Sequence, residues 1–133
     1  MIEEETWTAE DEKNLILNQI DRAILALEQD RVILEIRRLE LLQQEPVRAT
    51  PHWRKKNGKP RYLYLLHPTT ANGVRRRQYI GSKPALTQAA LRRAQAHLDL
   101  VQVDDQICDI TARLDAVDRL LQAALALATG SNP

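Results

Sequence analysis

The amino-acid sequence predicts an α+β protein, mainly α: two long antiparallel coiled-coil-like helices with a basic three-stranded antiparallel β-sheet inserted at their tip. Three observations carry this reading. Apolar residues recur at three- and four-residue spacing from Thr8 to Gln44 without a glycine or proline. A second repeat of that kind runs to Ala128 after Pro84. Between them the period drops to two, and two Asn-Gly pairs punctuate the chain. The 133 residues are expected to form a single elongated unit. Within it, residues 8–45 are the first helix of a stalk, 46–83 the β tip and 84–128 the second helix.

The first helix opens on "TAED". Thr8 is placed as N-cap, and Glu10, Asp11 and Glu12 fill a first turn where negative charge suits the helix dipole. Leu17, Ile20, Ile24, Leu27, Leu34 and Leu41 then make an apolar stripe that Arg31 and Arg38 interrupt. Those two arginines are expected to snorkel or to pair with acids of the second helix, such as Asp104, Asp105 or Asp109. Ile16, Ala23, Ile33, Ile36 and Leu39 widen the apolar surface beyond one stripe. Pro46 ends the segment, whose length is about 55 Å at 1.5 Å per residue. Trp7, just before the helix, is read as a staple or an interface anchor.

The central segment, "PHWRKKNGKPRYLYLLHPTTANGVRRRQYIG", predicts strands near 52–56, 60–66 and 74–80. Asn57-Gly58 is a hairpin signal, because a type I′ turn needs positive φ at both central residues. "HPTTANG" is read as the longer connection to the third strand. A sheet this short needs one apolar face. Some mixture of Trp53, Tyr62, Leu63, Tyr64, Leu65, Val74 and Ile80 is therefore expected to be buried against the following helix.

For the second helix, Ser82 is a cap candidate, Pro84 suits a first turn and Gly130 is the stop, with the tail after it expected to fray. Its seam runs Ala96, Leu100, Val103, Ile107, Ile110, Leu114, Val117, Leu121, Ala124, Ala128, alternating fours and threes. Two helices alone make a thin core, so a homodimer through the long helices is expected. The alternative is a monomeric hairpin or a compact three-layer fold.

The formal net charge is only +1, yet charge is segregated along the chain. Residues 1–45 hold five Lys/Arg and twelve Asp/Glu, and residues 99–133 hold two and six. Residues 46–98 hold twelve Lys/Arg and no acid at all. A positive field this concentrated recruits polyanions. The sequence therefore predicts a non-catalytic nucleic-acid-binding protein. Duplex DNA is the favoured ligand and RNA a further one, since exposed tyrosines would permit base stacking. Arg54, Lys55, Lys56, Lys59, Arg61, Arg75, Arg76, Arg77, Tyr79 and Lys83 are the candidate nucleic-acid-binding residues. Arginine can hold phosphate bidentately or read guanine edges. The alternative function is a helical assembly or adaptor protein whose basic tip binds an acidic protein partner.

The order strand-strand-strand-helix with these motifs also resembles the arm-type DNA-binding domains at the N-termini of phage and transposon integrases. The likeness rests on Gly58-Lys59, Tyr62-Leu63-Tyr64, Arg75-Arg76-Arg77, Tyr79-Ile80-Gly81 and Thr87-Gln88-Ala89-Ala90, and covers residues 52 to 98. Small mobile-element proteins with a "YIG" hairpin between helices are similar too. The resemblance implies that a sheet face enters the major groove, through Arg54, Lys56, Arg61, Arg75 and Arg77. The chain departs from those integrases in carrying a long acidic helix ahead of the motifs and no recombinase domain. What the resemblance implies is thus binding, in a regulatory or accessory role, and not recombination.

No enzyme is expected. His52, His67 and His97 lack metal-ligand spacing, and there is no Cys-x-x-Cys, His-Glu-x-x-His or phosphate-cradling glycine loop. Neither a metal nor a cofactor is predicted, nor a small-molecule substrate. The acidic pairs Asp104-Asp105 and Glu3-Glu4-Glu5 have no pocket to raise a pKa. The single cysteine, Cys108, is read as a packing residue and excludes an internal disulfide. With an acidic N-terminus and no long apolar run, a cytoplasmic protein that spans no membrane is expected.

Overall fold

A computed structural model describes residues 6–131. Its elements follow in the order α1 (Ala9–Gln43), β1 (Thr50–Lys56), β2 (Lys59–Thr69), β3 (Arg75–Gly81) and α2 (Pro84–Thr129). The chain is an α+β protein, mainly α, with a helical pair and one antiparallel sheet of strand order β1-β2-β3. It divides into two compact units. One comprises Met1–Leu34 and Ile107–Pro133, the other Glu35–Gln106.

The first unit holds the start of α1 and the end of α2, which run antiparallel. The residues of α1 withdrawn from solvent are Ile20, Ile24, Leu27, Arg31 and Leu34, a four-three repeat. On α2 they include Ile107, Ile110, Leu114 and Val117, spaced in the same way. These are the predicted seams, and knobs-into-holes spacing explains why the same stripe is protected turn after turn. The seams fade outward. Leu17 is 47% exposed and Leu121 39%, because Lys13 follows in one stripe and the small Ala124 and Ala128 in the other.

The capping of α1 is as predicted. Thr8 Oγ1 accepts the Asp11 backbone N–H at 3.1 Å, and the Asp11 carboxylate accepts the Thr8 N–H at 2.9 Å and the Thr8 hydroxyl at 2.8 Å. This is a reciprocal capping box with aspartate at its third position. The bonds from the Thr8 backbone and hydroxyl hold the Asp11 carboxyl below its ordinary value of 3.8. Trp7 is 63% exposed and staples nothing. At the far end of α2, Gly130 takes φ 71° and Ser131 N–H bonds to Ala126 O at 3.0 Å. That six-to-one bond closes the helix at the predicted glycine; the expected fraying of the last residues falls partly on 132–133, which lie outside the described residues.

The second unit is organised on β2. Leu63 and Leu65 are 0% and 1% exposed and pack with Ala90 of α2, and Val47, Ala49, Ile80 and Leu91 complete the cluster. Leu41, at the end of α1, is also fully buried. Beyond Gln43 the chain turns through Glu45 at φ 53°. Arg93 of α2 fastens that turn: its Nε donates to Glu45 O at 2.9 Å, and its backbone carbonyl accepts Val47 N–H at 3.0 Å. Arg38 donates through Nε to Asp104 Oδ1 at 2.7 Å, the expected pairing of a seam arginine with an acid of α2.

The first two strands run longer than predicted, and β3 is shifted by one residue at the same length. Asn57 (φ 53°) and Gly58 (φ 76°) make the predicted type I′ turn. Thr70–Gly73 instead closes by Gly73 N–H to Thr70 O, 2.9 Å, with only the glycine at positive φ. His67, Pro68 and Thr69, read as loop, belong to β2. Pro68 is tolerated in this central strand because the pairing is irregular between Leu66 and Thr69, so no ladder bond depends on its missing N–H. Ser82 is not the cap of α2. Lys83 stands there, and its carbonyl accepts Leu86 and Thr87 N–H.

Two outcomes are expected. Replacing Thr8 with Ala removes the hydroxyl bond to the Asp11 carboxylate and leaves the backbone one, so NMR titration should move the Asp11 midpoint part of the way up toward 3.8. Because the depressed group stabilises above its unfolded value, this contribution in the parent is lost as pH falls through the folded pKa. For the half-exposed Arg38–Asp104 pair, a double-mutant cycle by chemical denaturation should give a coupling of about 0.2–1 kcal/mol that shrinks with added salt.

Candidate nucleic-acid interface

The sheet has two unlike faces, fixed by strand alternation and cross-strand pairing. Toward α2, Leu63 stands opposite Trp53 and Gly81, and Leu65 opposite Pro51 and Gln78. On the outer face Tyr64 stands between His52 and Tyr79, Leu66 between Thr50 and Arg77, and Tyr62 opposite Arg54. The outer face is thus built of tyrosine, arginine and histidine, with one leucine and one threonine. No carboxylate occurs on any strand.

The tyrosines form a cluster. The Tyr79 ring lies 5.3 Å from Tyr64 and 6.4 Å from Tyr62, centroid to centroid, at tilts of 59° and 43°. Both distances fall within the range of favourable aromatic pairs. Tyr79 is 59% exposed, while Tyr62 and Tyr64 are half-buried. The Arg61 guanidinium sits 5.8 Å over the Tyr62 ring, a cation–π contact. Arg61 reaches that place because the pairing shifts between Arg54 and Lys55, leaving it as the extra residue of a bulge.

The predicted binding residues do not all meet on this face. Arg54, Arg77 and Tyr79 do, with Arg61 at the rim. Arg75 shares the alternation of Arg77, and its Nε donates to the His67 carbonyl at 3.1 Å. Arg76 lies on the other face, 3.4 Å from His67 Nε2, which also meets Gln78 Oε1 at 2.9 Å. Lys56 and Lys59 pair beside the Asn57-Gly58 turn, Lys55 stands opposite Pro60, and Lys83 caps α2. All ten residues belong to the second unit.

Of the side chains expected to share the buried face, Leu63, Leu65 and Ile80 take it, and one further expectation about burial, that of Cys108, is corrected. Tyr62 and Tyr64 lie opposite the core, not in it, since the leucines at 63 and 65 take the inward positions. Val74 is 62% exposed in the turn before β3, and Trp53 is 38% exposed on an edge strand. Cys108 is exposed, because Ile107 and Ile110 hold the seam and the residue between them points outward. His52 was missed as a member of the face. Its place opposite Tyr64 follows from strand pairing, which the alternation of β2 alone does not supply.

The sheet edges are unsuited to extension. Edge strand β1 carries Pro51, Lys55 and Lys56 and pairs irregularly at Arg54/Lys55, and edge strand β3 carries Arg75, Arg76 and Arg77. Such charges and irregularities block pairing with another strand.

Among the described residues no group of three or more His, Cys, Asp or Glu side chains could hold a metal ion, and no helix is long and apolar enough to cross a membrane. The chain matches no family model, no curated protein and no solved structure.

The two faces predict opposite responses to truncation. Leu65→Ala should cost about 2–5 kcal/mol of unfolding free energy, as other buried leucines do. Tyr79→Ala should cost well under half as much. Equal losses in urea denaturation would contradict the assignment of the outer face.

Proposed function

We propose that the chain is a non-catalytic nucleic-acid-binding protein that takes duplex DNA on the outer face of its sheet. One observation carries the reading: a sheet face of Arg54, Arg77, Tyr62, Tyr64, Tyr79 and His52, rimmed by Arg61, within 53 consecutive residues that contain no acid. A cation-rich face without carboxylates attracts phosphate from every approach, and ligand binding releases counterions. A short sheet can present side chains to the major groove, where arginine donates to guanine edges. Tyrosine supplies rigid contact area for sugars and bases between the arginines. The motif likeness to integrase arm-type domains points the same way, toward a cytoplasmic regulatory or accessory factor of a mobile element.

The remaining basic residues, on this face and off it, have a separate part. Lys55, Lys56, Lys59, Arg75, Arg76 and Lys83 enlarge the positive field and reach flanking phosphates, contributing affinity without reading bases. Contact with about five to six phosphates gives a slope of log affinity against log salt of roughly −5.

Fluorescence anisotropy with duplex DNA, single-stranded DNA and RNA, in a salt series, tests the proposal. Duplex should bind best and with that slope. Arg54→Ala/Arg77→Ala should weaken binding at least tenfold and flatten the slope by about two. Undiminished binding in that variant would remove the face from the interface. Absence of binding to any nucleic acid at low salt would leave the acidic protein partner as the reading.

A further inference from the structure

We infer that Trp7 of a second copy of this chain docks in a hollow of the second unit, between the start of β1 and the flank of α2. The hollow has a volume of about 590 Å³, within the roughly 300–1,000 Å³ of ligand clefts. Ala49 and Pro51 form one apolar wall, and Leu91, Ala94 and Leu98 of α2 form the other. Leu98 is 62% exposed, so the chain itself leaves that wall uncovered. Arg92 lines the hollow too, and it also lines a second one of about 430 Å³ together with Arg93, Gln44 and Ala89. All of these residues belong to the second unit. An apolar hollow thus adjoins a basic one, and no acid lines either. Arg93 is held in place there, since its Nε donates to the Glu45 carbonyl at 2.9 Å. Among the described residues neither Arg92 nor Arg93 is in an ion pair. The complementary ligand is a segment with one bulky apolar anchor and carboxylates close to it in sequence.

The start of this chain has that character. Residues 1–12 hold six Asp/Glu and no Lys/Arg, with Trp7 among them. The local charge is therefore opposite to that of Arg92 and Arg93, and the attraction acts where the two surfaces meet. Trp7 is 63% exposed, and the chain's own Trp7 lines neither hollow. Tryptophan is among the residues that most often anchor an interface by filling a desolvated hollow. Asp11 is engaged by Thr8 in the helix cap, which leaves Glu10 and Glu12 to meet the arginines. The other tryptophan, Trp53, lies in the acid-free span and has no such neighbours. The contact joins two different surfaces, anchor on one copy and hollow on the other.

The test is sedimentation equilibrium of the full chain over a concentration series, without nucleic acid. Mass above the 15.2 kDa of a single chain is expected, and the association should weaken as salt is added. Trp7→Ala and Leu98→Glu, each alone, should weaken association about tenfold or more. Mixing the two variants should restore association that neither shows alone, because the first keeps the hollow and the second keeps the anchor. Both side chains are exposed in the single chain, so far-UV circular dichroism should be unchanged in each. A second measurement uses Trp53→Phe, which leaves Trp7 as the sole tryptophan. Its emission should move to shorter wavelength as concentration rises, and adding Arg92→Glu should suppress that shift. A single-chain mass throughout the series overturns the inference. So does association indifferent to Trp7→Ala or to Leu98→Glu, or a mixture of the two variants that fails to associate. The readout is independent of nucleic acid, so the DNA-binding reading stands or falls separately.

Discussion

Everything at the candidate interface depends on the burial of two side chains, Leu63 and Leu65. They are the residues of the central strand that lose all contact with water, and they do so against a small residue, Ala90, that lets the strand approach the helix closely. Each such leucine contributes about 1.5–3 kcal/mol by leaving water. Strand periodicity allows no compromise: if 63 and 65 face inward, Tyr62 and Tyr64 face outward. Pairing then carries the same choice to the neighbouring strands, placing His52 and Arg54 on one side and Arg77 and Tyr79 on the other. A one-residue slip of β2 would bury phenols and send the leucines into solvent. The chemistry of the outer face is thus a by-product of the core beneath it.

The helices follow a different economy. Within each unit a single stripe of one helix meets a single stripe of the other, so most seam residues are half-buried and not fully enclosed. Only eight hydrophobic side chains are buried among the described residues, and three of them are alanines. Fold specificity must then come from pattern and end conditions as much as from burial. The Thr8–Asp11 box, the Arg93 fastening of the Glu45 turn and the Gly130 closure supply those ends with hydrogen bonds.

Much of this was legible in the sequence because it is local. The four-three stripes, the Asn57-Gly58 turn, the Thr8 cap and the Gly130 stop each depend on residues within a turn or two of one another. The misreadings concern choices made between segments. Alternation separates Tyr62 and Tyr64 from Leu63 and Leu65 but does not say which set is buried; that is decided by what α2 offers. The division of the three arginines of β3 between two faces could be read from alternation, whereas the engagement of Arg75 with the His67 carbonyl depends on an irregularity in strand pairing. Pro68 suggested a loop because a lone proline says nothing of a bulge that would accommodate it. Cys108 looked like a packing residue by its type, while its position one step past Ile107 turns it out of the seam.

The Arg38–Asp104 contact also has a positional meaning. Two aliphatic stripes with a seven-residue repeat can slide past each other by one repeat and still match leucine to isoleucine. Such a slide along α2 would bring His97 or Thr111 to the place of Asp104. Either leaves the guanidinium of Arg38 without its carboxylate, half-withdrawn from water. A contact worth little as a source of stability can therefore act as an index mark, distinguishing one alignment of the helices from alignments that hydrophobic matching alone would treat as nearly equal.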